Sequence, residues 1–300
     1  MRLPSSARGW VSGLASVSGA THAARALESG AVDCMPIKGA LIAATVRRGG
    51  LERHTADVDL LIHSSERQRA GRCLSAAGYV CESNAEHAST WRHPTLSLPL
   101  DLHTKPFPFG LYRMKTADLF ERAQRGDGQR GGRVWLPKGE DVYALAIGHL
   151  AKDRRHETAR LLELADIARY FQLRADCTAA HLVSQGMGRA ARWVLAISKE
   201  RAKDRFASEV LESLPSDRVG TLAVALAGYW IAAVPLPRRA NMPACHLLNR
   251  SLPEGARSLV SQASSFLTHR STPALRRASR TPKRASASTQ SAPSSKGARR

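Results

Sequence analysis

The stretch RHTADVDLLIH, residues 53–63, places Asp57 and Asp59 one residue apart at the mouth of an apolar run. Side chains alternate along an extended strand, so these two carboxylates point to the same face. Like charges held side by side repel unless they share a proton or a cation. A solvated turn leading into a strand is the ordinary explanation, and a divalent-metal site is the chemical one. Three further pieces bear on the choice. IKGAL (37–41) joins a strand to a helix, with Lys38 beside Gly39 at the helix N-terminus, a natural seat for phosphate. LDLH (100–103) sets a third carboxylate, Asp101, on a following strand, with His103 on the same face. HLAKDRRHETARLLELADIARYF (149–171) offers Lys152 and, fourteen residues on, Asp166. His149 falls on the apolar face of its helix and reads as a hydrogen-bonded core histidine.

Taken in order, these pieces resemble the nucleotidyltransferase superfamily built on the polymerase-β palm. In particular, they are similar to its branch of uncharacterised bacterial nucleotidyltransferases, whose pattern is K-G-[small]…R-x-x-x-D-[hydrophobic]-D-L-L…D-L-H…H-x-x-K…D. The likeness runs from about residue 35 to 171, and its specificity lies in the joint order of short motifs. Most of the superfamily carries a Gly-Ser pair in the phosphate loop; Lys38-Gly39 stands here instead, as in that branch.

The resemblance implies Mg²⁺-dependent transfer of a nucleotide from a nucleoside triphosphate, ATP among them. Attack on the α-phosphorus builds charge on the attacking, leaving and equatorial oxygens, and two metal ions can clamp both ends of the displacement. Magnesium needs only a few carboxylates besides phosphate and water, which suits two or three aspartates. On this reading Asp57 and Asp59 bind metal. Asp101 completes the nucleophile-side site or acts as general base. Lys38, Arg53 and Lys152 neutralise triphosphate charge, the Gly39 N–H cradles it, and His103 and Asp166 are accessory. Each has an ordinary alternative. The aspartates are surface carboxylates, His103 is structural, Lys38 caps a loop, Arg53 pairs with Asp57, and Lys152 and Asp166 are solvated.

The elements that must position these residues follow from periodicity. An Ala-rich helix over 12–30 closes at Gly30, and a short apolar run broken by Pro36 leads into a helix ending at Gly49 and Gly50. The strand DVDLLIH precedes a helix over 64–79, with Ser64 or Ser65 as N-cap and Gly78 as its stop. One or two strands occupy 89–104. Beyond them the pattern is helical: residues 140–152 carry Glu140 and Asp141 in their first turn, 157–173 is amphipathic, and less regular helices run to about 266. The expected class is α+β: a small mixed sheet flanked by helices, then a helical subdomain. The expected divisions are 1–135, 136–266 and a disordered basic tail at 267–300.

Charge points to a polyanionic partner. The 300 residues carry a formal +20; eight Lys or Arg and no acid lie in 271–300, leaving +12 elsewhere. An acceptor such as tRNA suits that charge, alongside a small molecule or a peptide natural product. The tail lacks interleaved aromatics, so it offers charge without stacking platforms. Five scattered cysteines without C-x-x-C spacing argue against zinc and a disulfide framework, and fit a reducing cytoplasm. Residues 219–236 are uncharged and near the minimum spanning length, but Ala, Gly, Thr and Pro235 favour a buried helix over a membrane segment. The competing class is a degenerate nucleotidyltransferase fold serving as a basic nucleic-acid-binding module. Three convergent carboxylates argue against it, since they would weaken binding to a polyanion.

Overall fold

A computed structural model describes residues 5–45, 55–108, 111–127, 133–152 and 157–217. Helix α1 (Ser5–Glu28) leads to β1 (Met35–Pro36), α2 (Lys38–Thr45), β2 (Val58–Leu61), α3 (Arg67–Ala76), β3 (Val80–Asn84), β4 (Ala88–Arg92) and β5 (Leu100–His103). The five strands form one mixed sheet in the order β1-β2-β5-β4-β3. β2 and β5 run parallel at its centre, and the other pairs are antiparallel. This is the α+β architecture expected from the sequence.

The central position of β2 follows from its composition: all four residues of VDLL are buried, which a strand covered on both faces requires. Alternation then sorts its neighbours. Val58, Leu60, Leu100 and Leu102 pack with Ala23 and Leu27 of α1 and Ala70 and Leu74 of α3. Leu61, on the other face, joins a second core with Met35, Ile37 and Leu41 and with Val142 and Leu145 of the helical region. Asp59 shares that second face, so it points toward the helices rather than into the α1–α3 layer.

After α4 (Thr116–Arg122), a hairpin of β6 (Gln124–Asp127) and β7 (Arg133–Leu136) is tied to the residue before β1, where the Trp135 N–H donates to the Cys34 carbonyl at 2.9 Å. The helical region follows: α5 (Gly139–Leu150), α6 (Thr158–Tyr170), α7 (Ala175–Ser184), α8 (Gly188–Arg201) and α9 (Arg205–Ser213). Asp204 caps α9 by accepting from the Ala207 N–H at 3.2 Å. In the first turn of α5, Asp141 accepts from Arg122 through Nε at 3.0 Å and Nη2 at 2.7 Å, and it pairs with His181 Nε2 at 2.9 Å. That carboxylate fastens α4, α5 and α7 together.

Several local expectations differ from the structure. α1 begins at Ser5, a turn or more before residue 12. Neither Ser64 nor Ser65 caps α3: they form a 3₁₀ turn, Ser64–Glu66, and Glu66 precedes the helix without a side-chain cap. β3 and the β6–β7 hairpin carry no strand signal in the sequence; every residue of β3 is exposed, so no apolar alternation marks it. No helix among the described residues is long and apolar enough to cross a membrane. Arg53, the 219–236 segment, the helices expected beyond 217 and the 267–300 tail lie outside the described residues.

Candidate active site

Parallel pairing of β2 with β5 sets Asp59 directly opposite Asp101, and antiparallel pairing of β5 with β4 sets Thr90 opposite Asp101. Three polar side chains thus form one row across the middle of the sheet. Asp59 is 2% exposed, and its Oδ1 accepts from the Lys38 ammonium and lies 2.9 Å from His103 Nε2. Asp101 Oδ1 accepts from the Thr90 hydroxyl at 2.8 Å. Ligand atoms of Asp59, Asp101 and His103 all lie within 4.8 Å of one another.

Burial pushes the Asp59 carboxyl up. The hydrogen bond from His103 and the charge of Lys38 outweigh it, so the carboxyl sits below its ordinary value and stays ionised. Lys38 Nζ is also 3.2 Å from His103 Nε2. An Nε2–H that donates to Asp59 has no lone pair left to accept from lysine. Lys38 and His103 therefore share Asp59 rather than binding each other.

The turn that delivers Lys38 is unusual for a non-glycine residue. Its φ is +54°, in the left-handed region that an L side chain occupies at a cost of about 1–2 kcal/mol. The flanks hold it there. The Ile37 N–H donates to the Asp59 carbonyl at 3.1 Å, and Gly39 lies so close to the chain before β2 that a Cβ would fall 2.9 Å from Thr55 Cγ2.

The other candidates are placed as follows. Asp57 is half-buried at the bend before β2 and, among the described residues, is not one of the three that converge. Lys152 follows α5, with Nζ 5.4 Å from the centre of the Phe107 ring. Asp166 pairs with Arg169 one turn along α6, at 2.8 Å. The α5 and α6 helices are separate elements, as the two helical stretches 140–152 and 157–173 predict.

Three further residues, Thr90, His87 and His149, stand near the site. Thr90 orients Asp101, and only the register of β4 reveals it. His87 sits at the β3–β4 turn; burial first, then the charges of His103 and Lys152, pull its imidazole down to about 4. His149 is a core histidine, but contrary to the hydrogen-bonded role its apolar helix face suggests, its buried Nε2 has no hydrogen-bond partner among the described residues. It lines a pocket between α2, α5 and α6 with Lys38, Ile42, Leu145, Arg160 and Glu163. Burial, then the charges of Lys152, Lys38 and His103, hold it neutral.

Two carboxylates and an imidazole, converging from adjacent strands beside a lysine, form a donor set that fits a divalent cation once the His103 proton moves from Nε2 to Nδ1. A family model described as uncharacterised nucleotidyltransferase matches residues 17–200, well over half of the chain. The chain belongs to that nucleotidyltransferase family. The matched region takes in Lys38, Gly39, Asp57, Asp59, Asp101, His103 and Lys152, so the whole cluster lies within the family's extent. Nucleotidyltransferase membership implies an enzyme. No curated protein matches the chain.

Proposed function

We propose that the protein is a metal-dependent nucleotidyltransferase that moves a nucleoside monophosphate from a nucleoside triphosphate to a hydroxyl group of an acceptor. The observation that carries this reading is the convergence of Asp59, Asp101 and His103 on one face of the sheet. In the reaction a bond forms between the acceptor oxygen and the α-phosphorus, and the bond to the leaving pyrophosphate breaks. A bound Mg²⁺ pair, or Mn²⁺ given the mixed oxygen and nitrogen donors, would supply Lewis-acid stabilisation of the oxygens that gain charge.

The chain's own residues do the rest. Asp59 and Asp101 would hold the metal, with Asp57 at the mouth of β2 contributing from the solvent side. Asp101 is the better placed to take the acceptor proton, being half-buried, oriented by Thr90 and, among the described residues, in no ion pair. Lys38, the Gly39 N–H, Arg53 and Lys152 would bind triphosphate, and His103 and Asp166 would support them. On this reading residues 1–135 are the nucleotide-binding α/β part, 136–266 a helical part and 267–300 a basic tail. The net charge of +20 favours a polyanionic acceptor such as tRNA.

The test does not require the acceptor. Thermal unfolding is followed with each nucleoside triphosphate, with and without Mg²⁺, for the wild type, Asp57→Ala and Asp59→Asn. A ligand at about a hundred times its dissociation constant stabilises the fold by roughly 2.7 kcal/mol. A Mg²⁺-dependent shift that Asp59→Asn removes supports the reading and justifies an acceptor screen with labelled triphosphate. No shift with any nucleotide, while RNA still binds, replaces it with the nucleic-acid-binding module.

A further inference from the structure

The Lys38 ammonium and a divalent cation would use the same partners. Lys38 Nζ bonds Asp59 Oδ1 and stands 3.2 Å from His103 Nε2, and both of those side chains belong to the group whose ligand atoms converge with Asp101. A lysine held at φ +54° and only 22% exposed is placed there by the backbone, at a conformational cost, rather than by a long stem reaching in from the surface. Lys38 also lines the pocket between α2, α5 and α6, so its side chain borders open space beside Asp59 into which the ammonium would move.

We infer that Lys38 is a resident counter-cation of Asp59 that a divalent ion displaces, and that the freed ammonium passes to the triphosphate. This rests on the nucleotidyltransferase reading above and adds a loading order to it. The physical reason is competition. Two cations cannot both take one buried carboxylate oxygen at contact distance without strong repulsion in a site of low dielectric. Metal alone therefore binds weakly, because it must evict Lys38. Metal arriving with a triphosphate binds tightly, because the evicted ammonium gains a new anion. Lys38 thereby couples the two ligands.

The test reads the lysine directly. Brief acetylation of the full chain, followed by mass spectrometry of the Lys38 peptide, is done with no additions, with Mg²⁺, and with Mg²⁺ plus a non-hydrolysable nucleoside triphosphate. The expected result is acetylation about threefold faster with Mg²⁺ alone and slower again once nucleotide is added, as the population of the displaced rotamer rises and is then captured. In parallel, free Mn²⁺ is measured by electron paramagnetic resonance against the wild type, Lys38→Met and Lys38→Arg. Lys38→Met should bind Mn²⁺ about tenfold more tightly in the absence of nucleotide, and Lys38→Arg, which keeps the charge, no more tightly than the wild type.

Mn²⁺ binding to the wild type with no change in Lys38 acetylation overturns the displacement and leaves the metal site standing. No Mn²⁺ binding by any of the proteins, even with nucleotide, removes the metal-dependent reading and this inference with it. The footprint uses only the wild type, so it decides the matter even if Lys38→Met fails to fold.

Discussion

Asp59 and Asp101 are register partners on the two parallel strands at the centre of the sheet, but their surroundings are different. Asp59 is buried and shared between Lys38 and His103, whereas Asp101 is half-buried and, among the described residues, held by the Thr90 hydroxyl. Their substitutions should therefore separate stability from activity. Asp59→Asn breaks a buried ion pair and should lower the unfolding free energy by about 3 kcal/mol. Asp101→Asn should cost under about 1 kcal/mol, the range for partly exposed positions. Each should reduce nucleotide transfer at least about a hundredfold, the scale seen when a group acting on the transition-state charge is lost. Urea unfolding and single-turnover transfer read the two effects; equal destabilisation by both would contradict the asymmetry.

Thr90→Val is nearly isosteric and removes only the hydroxyl that fixes Asp101 at 2.8 Å. Freed of that bond, Asp101 samples other rotamers. Metal affinity should then fall about 10–100-fold, as when an outer partner of a metal ligand is lost, while the melting temperature stays within a few degrees. Mn²⁺ titration beside a thermal melt checks this. An unchanged affinity would mean that the strand alone orients Asp101.

Gly39→Ala should destabilise by steric overlap, because the new Cβ would stand 2.9 Å from Thr55 Cγ2. Overpacking of this kind costs about 1–3 kcal/mol. Thr55→Ser removes the offending methyl, so the double variant should recover most of the loss. A double-mutant cycle by urea unfolding measures the coupling, and a coupling near zero would place the cost in the helix N-terminus instead.

Asp141 predicts an acid-labile helical region. Burial pushes its carboxyl up, but the hydrogen bonds from His181 and Arg122 bring it below the ordinary 3.8. Since the folded value is the lower one, the unfolded chain takes up the proton first as pH falls. The stabilisation is complete above about 3.8 and is lost as pH drops through the depressed folded value. Asp141→Asn should cost about 3 kcal/mol near neutrality, the scale for breaking a buried pair, and should flatten the acid limb of the stability profile. An acid limb unchanged by the substitution would show that other carboxylates set it.

Much of the chemistry was legible in the chain because period-2 alternation is local. DVDLL and LDLH each announce a strand whose aspartate shares a face with its i±2 neighbours, whichever strand lies alongside. Likewise K-G before an apolar helical run marks a strand-to-helix turn. Those local patterns determined the α+β class and the order of Lys38, Asp59, Asp101 and His103. They carried no signal for β3, whose residues are all exposed, or for the β6–β7 hairpin.

Only the tertiary structure decided which of these groups meet. Parallel pairing of β2 and β5 in register, not one residue out, puts Asp101 rather than Leu100 or Leu102 beside Asp59. Asp57 lies before that pairing begins and stays outside the convergent three. Thr90 comes to Asp101 through β4, His149 is brought near Lys38 by packing α5 against α2, and Lys38 reaches Asp59 through a left-handed turn. Residue types and spacing specify faces, whereas distances between faces depend on strand register and helix packing, which are properties of the whole chain.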